Sequence, residues 1–285
     1  MAELRDNLPQ LTQIFFKKKG IEKLADMMIE RLQAFRKRSG VLPKRMIIFR
    51  DGVSEVRCLS HPNRPPPSDT DPLTSMQGQY DKVNREELPQ IFEAFKRIDP
   101  KNPKYHPTLS IFICGKRHNA RFFPTNSEFA DRNGNTRPGT VVDKGVTSML
   151  DFDFYLQAHA GLQGTVKPTH YVVIYDESAL TADAAQQGVH TASYLYARAT
   201  KAVSLVPPAY YADIVCEQAR YWIHGFLNQG GGSDTASSAE GGEGGSASTA
   251  MRRAREAAEQ RVYDAARRMW GNGLHPNLQD AMFYL

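Results

Sequence analysis

Cysteine is scarce in this chain. Cys58, Cys114 and Cys216 are scattered over 285 residues with no CxxC spacing. An odd, dispersed set supports neither a disulfide framework nor a zinc site, so the thiols read as reduced core residues. Long apolar runs are missing as well, since nothing approaches the roughly 18 to 20 residues that cross a bilayer. The opening Met1-Ala-Glu-Leu-Arg-Asp6 lacks the basic-then-apolar order of a signal peptide, which makes a cytoplasmic or nuclear location the expectation. The eight histidines have no metal-ligand spacing, and HExxH, GxSxG and GxxxxGK followed by Ser or Thr are all absent. The glycine-rich run 230–245 is no phosphate loop, because no strand leads into it and no Lys-Ser/Thr helix follows it directly.

With 41% hydrophobic and 10% aromatic residues the chain can bury one substantial core, and its length permits one domain or two. Lys and Arg exceed Asp and Glu by five, an excess that suits a polyanionic partner. Residues 21–38 place Ile21, Leu24, Met28, Leu32 and Phe35 at helical spacing, with Lys and Arg filling the other face. Residues 45–50 read as a buried strand that turns at Asp51-Gly52. Helical spacing returns over 84–98, with Asn84 and Glu87 set as cap and capping-box partner. Residues 108–114 and 170–175 are further apolar strands, and 181–202 a second long helix. Strands alternating with helices predict an α/β sheet. Residues 229–250 hold seven glycines among small and acidic residues, a composition that predicts a disordered loop; an Arg/Ala-rich helix is expected over 252–270.

Several strings share one family's order. Arg50-Asp-Gly-Val-Ser-Glu55 is followed by Gly78-Gln-Tyr80, then Gly115-Lys-Arg-His-Asn-Ala-Arg121 and Pro138-Gly-Thr-Val-Val-Asp143. Next come Asp151-Phe-Asp-Phe-Tyr-Leu-Gln-Ala-His-Ala-Gly-Leu-Gln-Gly-Thr165, Lys167-Pro-Thr-His-Tyr171, Pro208-Ala-Tyr-Tyr-Ala-Asp213 and the closing Met282-Phe283-Tyr284-Leu285. On these strings the chain resembles the C-terminal part of an Argonaute PIWI domain, nearest the fungal branch. The resemblance implies an RNase H-like α/β fold over 21–285, incomplete at its N-terminal edge, with 1–20 unplaced. It implies as partners a small guide RNA and its complementary target, with the MID domain that holds the guide's 5′ end absent from this chain.

The family's chemistry is phosphodiester hydrolysis by two divalent cations, which converging carboxylates must hold against their mutual repulsion. Asp51 matches the third metal ligand and Asp213 the fourth, which makes Mg2+ the implied cofactor. The first aspartate's string is not found, and Lys19 falls where the family has a mobile glutamate, with Glu22 three residues on. A module that binds RNA without slicing is the reading that follows. An endoribonuclease whose first Asp and Glu lie upstream, and a fragment unable to fold alone, stay open beside it. The resemblance places RNA contacts at Lys116, Arg117, Asn119, Arg121, His159, Gln163, Lys167, Tyr196, Arg198, Lys201, Ser204 and Tyr210. Gln218 stands where the family's arginine reaches the 5′-phosphate, and a neutral amide loses that charge-assisted bond, with Arg220 nearby.

Residues 56–77 carry five prolines inside what should be a short connection. Their removal would join Glu55 to Gly78 and restore the family string, so the segment reads as an intron translated in frame. Val56 permits a GT donor and Gln77 an AG acceptor.

Overall fold

The computed structural model describes residues 24–53, 79–100, 102, 104–149 and 151–229, with isolated positions beyond 256. The expectations for 1–20, 56–77 and 230–250, and most of that for 252–270, lie outside these residues. The chain divides into two compact units, Arg31–Ala212 and Met1–Glu30 with Asp213–Leu285.

Helix α1 (Leu24–Ser39) ends on Arg36, Lys37 and Arg38, whose charges suit the negative end of the helix. Gly40 stops it at φ +74° and returns its N–H to the Arg36 carbonyl at 2.9 Å. Then comes β1 (Arg45–Asp51), followed by a helical stretch built in three pieces. These are α2 (Gln79–Lys82), a π-helical turn (Val83–Glu87) and α3 (Leu88–Ile98). The chain continues through β2 (Thr108–Gly115), β3 (Thr140–Val142), β4 (Phe152–Gln157), β5 (Thr169–Asp176), α4 (Ala182–Ala192) and α5 (Pro207–Gln229).

The five strands form one mixed sheet in the order β1-β2-β5-β4-β3. β1 runs parallel to β2, and every other pair is antiparallel. β2 is apolar almost throughout and buried on both faces, as a central strand must be. Side-chain alternation sorts the core. Phe112, Cys114, Phe154, Leu156 and Tyr171 face one way, onto Ala185 and Val189 of α4 and onto Leu205, Val206 and Ala209. Ile113 and Val172 face the other way, onto Val53 and Val83.

Three expectations are corrected. The strand at 45–50, expected to be buried, is half-exposed as β1, and its Ile47 is 50% exposed. Its apolar composition states what the strand can bury, not which neighbours it has, and among the described residues β2 alone pairs with it. The capping box at Asn84 and Glu87 does not form, because the helix already begins at Gln79. Both residues sit inside the π turn, which opens the α ladder just ahead of Pro89, a residue with no N–H to donate. The helix expected over 181–202 stops at Ala192. The Ser193 hydroxyl donates to the His190 carbonyl at 2.6 Å, and Val203 N–H reaches the Ser193 carbonyl at 3.0 Å, closing 193–203 into a loop.

Candidate nucleic-acid interface

β2 ends at Gly115, paired in register with His170 of β5, and the basic string 116–121 leaves the sheet there. Its seat is a stack of polar rings. His170 lies on the Tyr155 ring with centroids 4.2 Å apart and 11° between planes, and its Nε2 meets Asp153 Oδ2 at 2.6 Å. Asp153 in turn accepts Ser148 N–H at 2.7 Å. His118 packs edge-on against Tyr155 at 5.2 Å and bonds the Pro168 carbonyl through Nε2 at 3.0 Å. Burial lowers the pKa of His118, and the charges of His170, Lys167 and Arg121 add to that effect against the pull of the Pro168 carbonyl. A neutral ring donating Nε2–H is the state that fits, with Nδ1 buried and unbonded.

Lys116 turns inward from this string. Its ammonium donates to Ser204 Oγ and stands 5.8 Å from the centre of the Tyr210 ring. Ser204 Oγ bonds Tyr210 OH at 2.6 Å, while Thr169 Oγ1 donates to the Ser204 carbonyl at 2.6 Å and fixes its backbone. The Tyr196 ring lies 5.4 Å from that of Tyr210. Burial, and next the charge of Lys116, lower the pKa of His159. Of the twelve expected contact residues the fold therefore brings Lys116, Ser204, Tyr210 and Tyr196 into one group, from three separate stretches of chain, while His159 is half-buried. Arg117, Asn119, Arg121, Gln163, Arg198 and Lys201 are exposed, and Lys167 is half-buried. Arg121 folds back on its own string, donating to the Ala120 carbonyl at 2.7 Å.

Asp51 closes β1 opposite Cys114 of β2, and Gly52 turns the chain at φ +78°. Burial pushes the Cys114 thiol well up, and the nearby Asp51 carboxylate adds to the rise. Asp213 is exposed on α5 and belongs to the other unit. Among the described residues no three His, Cys, Asp or Glu side chains converge as metal ligands. Two Mg2+ ions held close together need several hard anionic oxygens, of which Asp51 and Asp213 would each supply a carboxylate.

The Piwi domain model matches residues 75–224, more than half of the chain. The chain belongs to the Piwi-domain family. Its relatives include the argonaute MEL1 of rice, 40% identical over 74% of this chain and 18% of its own length, and the argonaute of Schizosaccharomyces pombe, 42% identical over 70% and 21%. The chain thus spans about a fifth of the length of the curated relatives it matches. Among solved structures, the C-terminal lobe of a budding yeast Argonaute superposes with a TM-score of 0.61 at 29% identity, covering 75% of this chain and 40% of that one. Kluyveromyces polysporus Argonaute with a guide RNA superposes at 0.60 and 30% identity, covering 73% and 23%. The mixed sheet is accordingly that of a PIWI domain, the RNase H-like α/β fold the strings implied.

Several residues around this site lay in the sequence without the role the fold gives them. His118, Asp153 and His170 stood inside the family strings and seat the basic string, and Glu87, expected as a capping-box partner, holds Arg50 through bonds of 2.9 and 3.0 Å.

Proposed function

We propose that this PIWI module grips the sugar-phosphate backbone of a small guide RNA, alone or paired with its target, and does not itself cut. The observation that carries this reading is the convergence of Lys116, Ser204 and Tyr210. One ammonium and two hydroxyls meet there, offering donors that suit phosphate oxygens and read no sequence. The exposed Arg117, Arg121, Arg198 and Lys201, with Lys167, supply the positive field that draws a polyanion toward it. Neutral His118 and His159 keep the seat from repelling its own cations. The non-slicing part is supported by the sequence, where Lys19 falls at the place of the family's mobile glutamate.

The test uses the purified 285-residue chain. It should bind single-stranded RNA of unrelated sequences alike, with affinity that falls steeply with salt, and should leave a guide-paired target intact in Mg2+. Mg2+-dependent cleavage abolished by Asp51→Ala would overturn the non-slicing part. Failure to bind any RNA at low salt would overturn the whole reading.

A further inference from the structure

Residues 160–167 form a surface excursion after β4, with Leu162 99% exposed and Gln163 exposed at its tip. Exposed tips of this kind ordinarily wander, because water serves their backbone groups as well as protein does. Here the backbone is held at three points by side chains from a different loop. Asn133 Nδ2 donates to the Gly161 carbonyl at 2.7 Å. Asn135 works in both directions, with Nδ2 donating to the Gly164 carbonyl at 3.0 Å and Oδ1 accepting Val166 N–H at 2.9 Å. The anchor is itself fixed, since Asn135 is 3% exposed and Asp131 Oδ1 accepts the N–H groups of Asn133 and Asn135 at 2.8 and 2.9 Å. There is no slack at Gly161, where a Cβ would come within 2.5 Å of Val166 Cγ2 and 3.2 Å of Asn135 Nδ2.

The excursion returns to the basic string at its far end, where Pro168, just after it, accepts from His118 at 3.0 Å.

We infer that Asn133 and Asn135 are positioning residues for RNA: they fix loop 160–167 so that Gln163 and Lys167 meet the nucleic-acid backbone already ordered. The inference rests on the reading of this face as an RNA interface and adds residues that make no RNA contact themselves. Its physical content is preorganisation. A loop ordered before binding spares the complex the cost of immobilising it.

The discriminating variant is Asn133→Ala, which removes one latch from an exposed side chain and adds no charge. The full chain and this variant are compared for melting temperature, for affinity toward an unstructured single-stranded RNA oligonucleotide, and for amide exchange over 160–166 without RNA. The expected result is an unchanged melting temperature, faster exchange, and affinity lowered about fivefold, the size of one neutral hydrogen bond. In a Gln163→Ala/Lys167→Ala background the same substitution should weaken binding no further, because the loop then has nothing left to position. Unchanged affinity, or an equal loss in that background, overturns the positioning role. Unchanged exchange overturns the latch. Absence of RNA binding by the parent chain, with exchange still faster in the variant, places the failure in the functional reading instead.

Discussion

Arg50 and Glu87 lie 37 residues apart and meet through two parallel bonds, 2.9 Å from Nε and 3.0 Å from Nη2. The Glu87 side chain is only 6% exposed and that of Arg50 26%, so water can replace little of what either would lose. Arg50 Nη1 also donates to the backbone carbonyl of Asp51, which ties the end of β1 to the π turn. Hydrogen bonds to charged groups contribute about 1.5–3 kcal/mol, and removal of one partner leaves the other desolvated. Glu87→Ala should therefore destabilise the fold by about 3 kcal/mol, read as a lower denaturant midpoint. Arg50→Met/Glu87→Met, which leaves no orphaned charge, should recover most of that loss. A double variant as unstable as the single one would show that packing around Glu87, not the ion pair, carries the effect.

Between elements, the start of β2 is clamped to the end of β5 by one carboxylate. Glu177 accepts from Leu109 N–H at 3.0 Å, from Tyr175 OH at 2.6 Å and from His106 Nε2 at 3.0 Å. Phe92 and Phe95 of α3 close over these groups, with ring centroids 5.4 and 5.7 Å from His106 and Phe92 5.9 Å from Tyr175. Burial by itself would raise the Glu177 carboxyl, but the bonds from Tyr175, His106 and Leu109 and the His106 charge outweigh it, and its pKa falls below the ordinary 4.5. Tyr175 is pushed up to about 12 by burial and by the bond to Glu177, so its hydroxyl keeps the proton it donates. A depressed folded-state pKa gives stability that is fully present above the unfolded value and is lost as pH falls through the folded one. The difference in denaturation midpoint between the parent and Glu177→Gln should therefore be largest near neutrality and shrink as pH drops below the usual carboxylate range. A difference that stays constant with pH would assign the clamp to shape alone.

At the scale of the whole molecule, a net charge of +5 spread over 36 Lys and Arg against 31 Asp and Glu is a modest excess. In the proposed RNA-binding role, affinity then depends on where the cations stand, not on how many there are. Lys116, Arg117 and Arg121 lie within six residues of one string, seated by His118 on Tyr155 of β4 and on the Pro168 carbonyl just ahead of β5. Removing one cation that pairs with a phosphate should flatten the plot of log affinity against log salt by about 0.7 for a single strand. A Lys116→Ala/Arg117→Ala/Arg121→Ala variant should bind all RNA sequences more weakly to the same degree, with a slope shallower by about two units. Parental affinity with an unchanged slope in that variant would remove this face from the interface.

Elements whose stability is local were legible in the chain itself. α1 announced itself through apolar spacing with Lys and Arg on its other face, and β2 through its apolar run. Asp51 could be placed at a strand end because Gly52 must turn the chain. The family resemblance supplied the expected contact residues where periodicity alone was silent, and it located Lys116, Ser204 and Tyr210 individually. That these three touch was decided only by the tertiary structure, because hydrogen bonds between residues 88 positions apart leave no trace in local spacing. The same holds for the exposure of β1, which depends on which strands surround it. It holds too for the break after Ala192, where Ser193 satisfies carbonyls that continued helix would have used. Asn133 and Asn135 mark the limit most sharply: no motif or spacing singled them out, and the fold commits their amides to another loop.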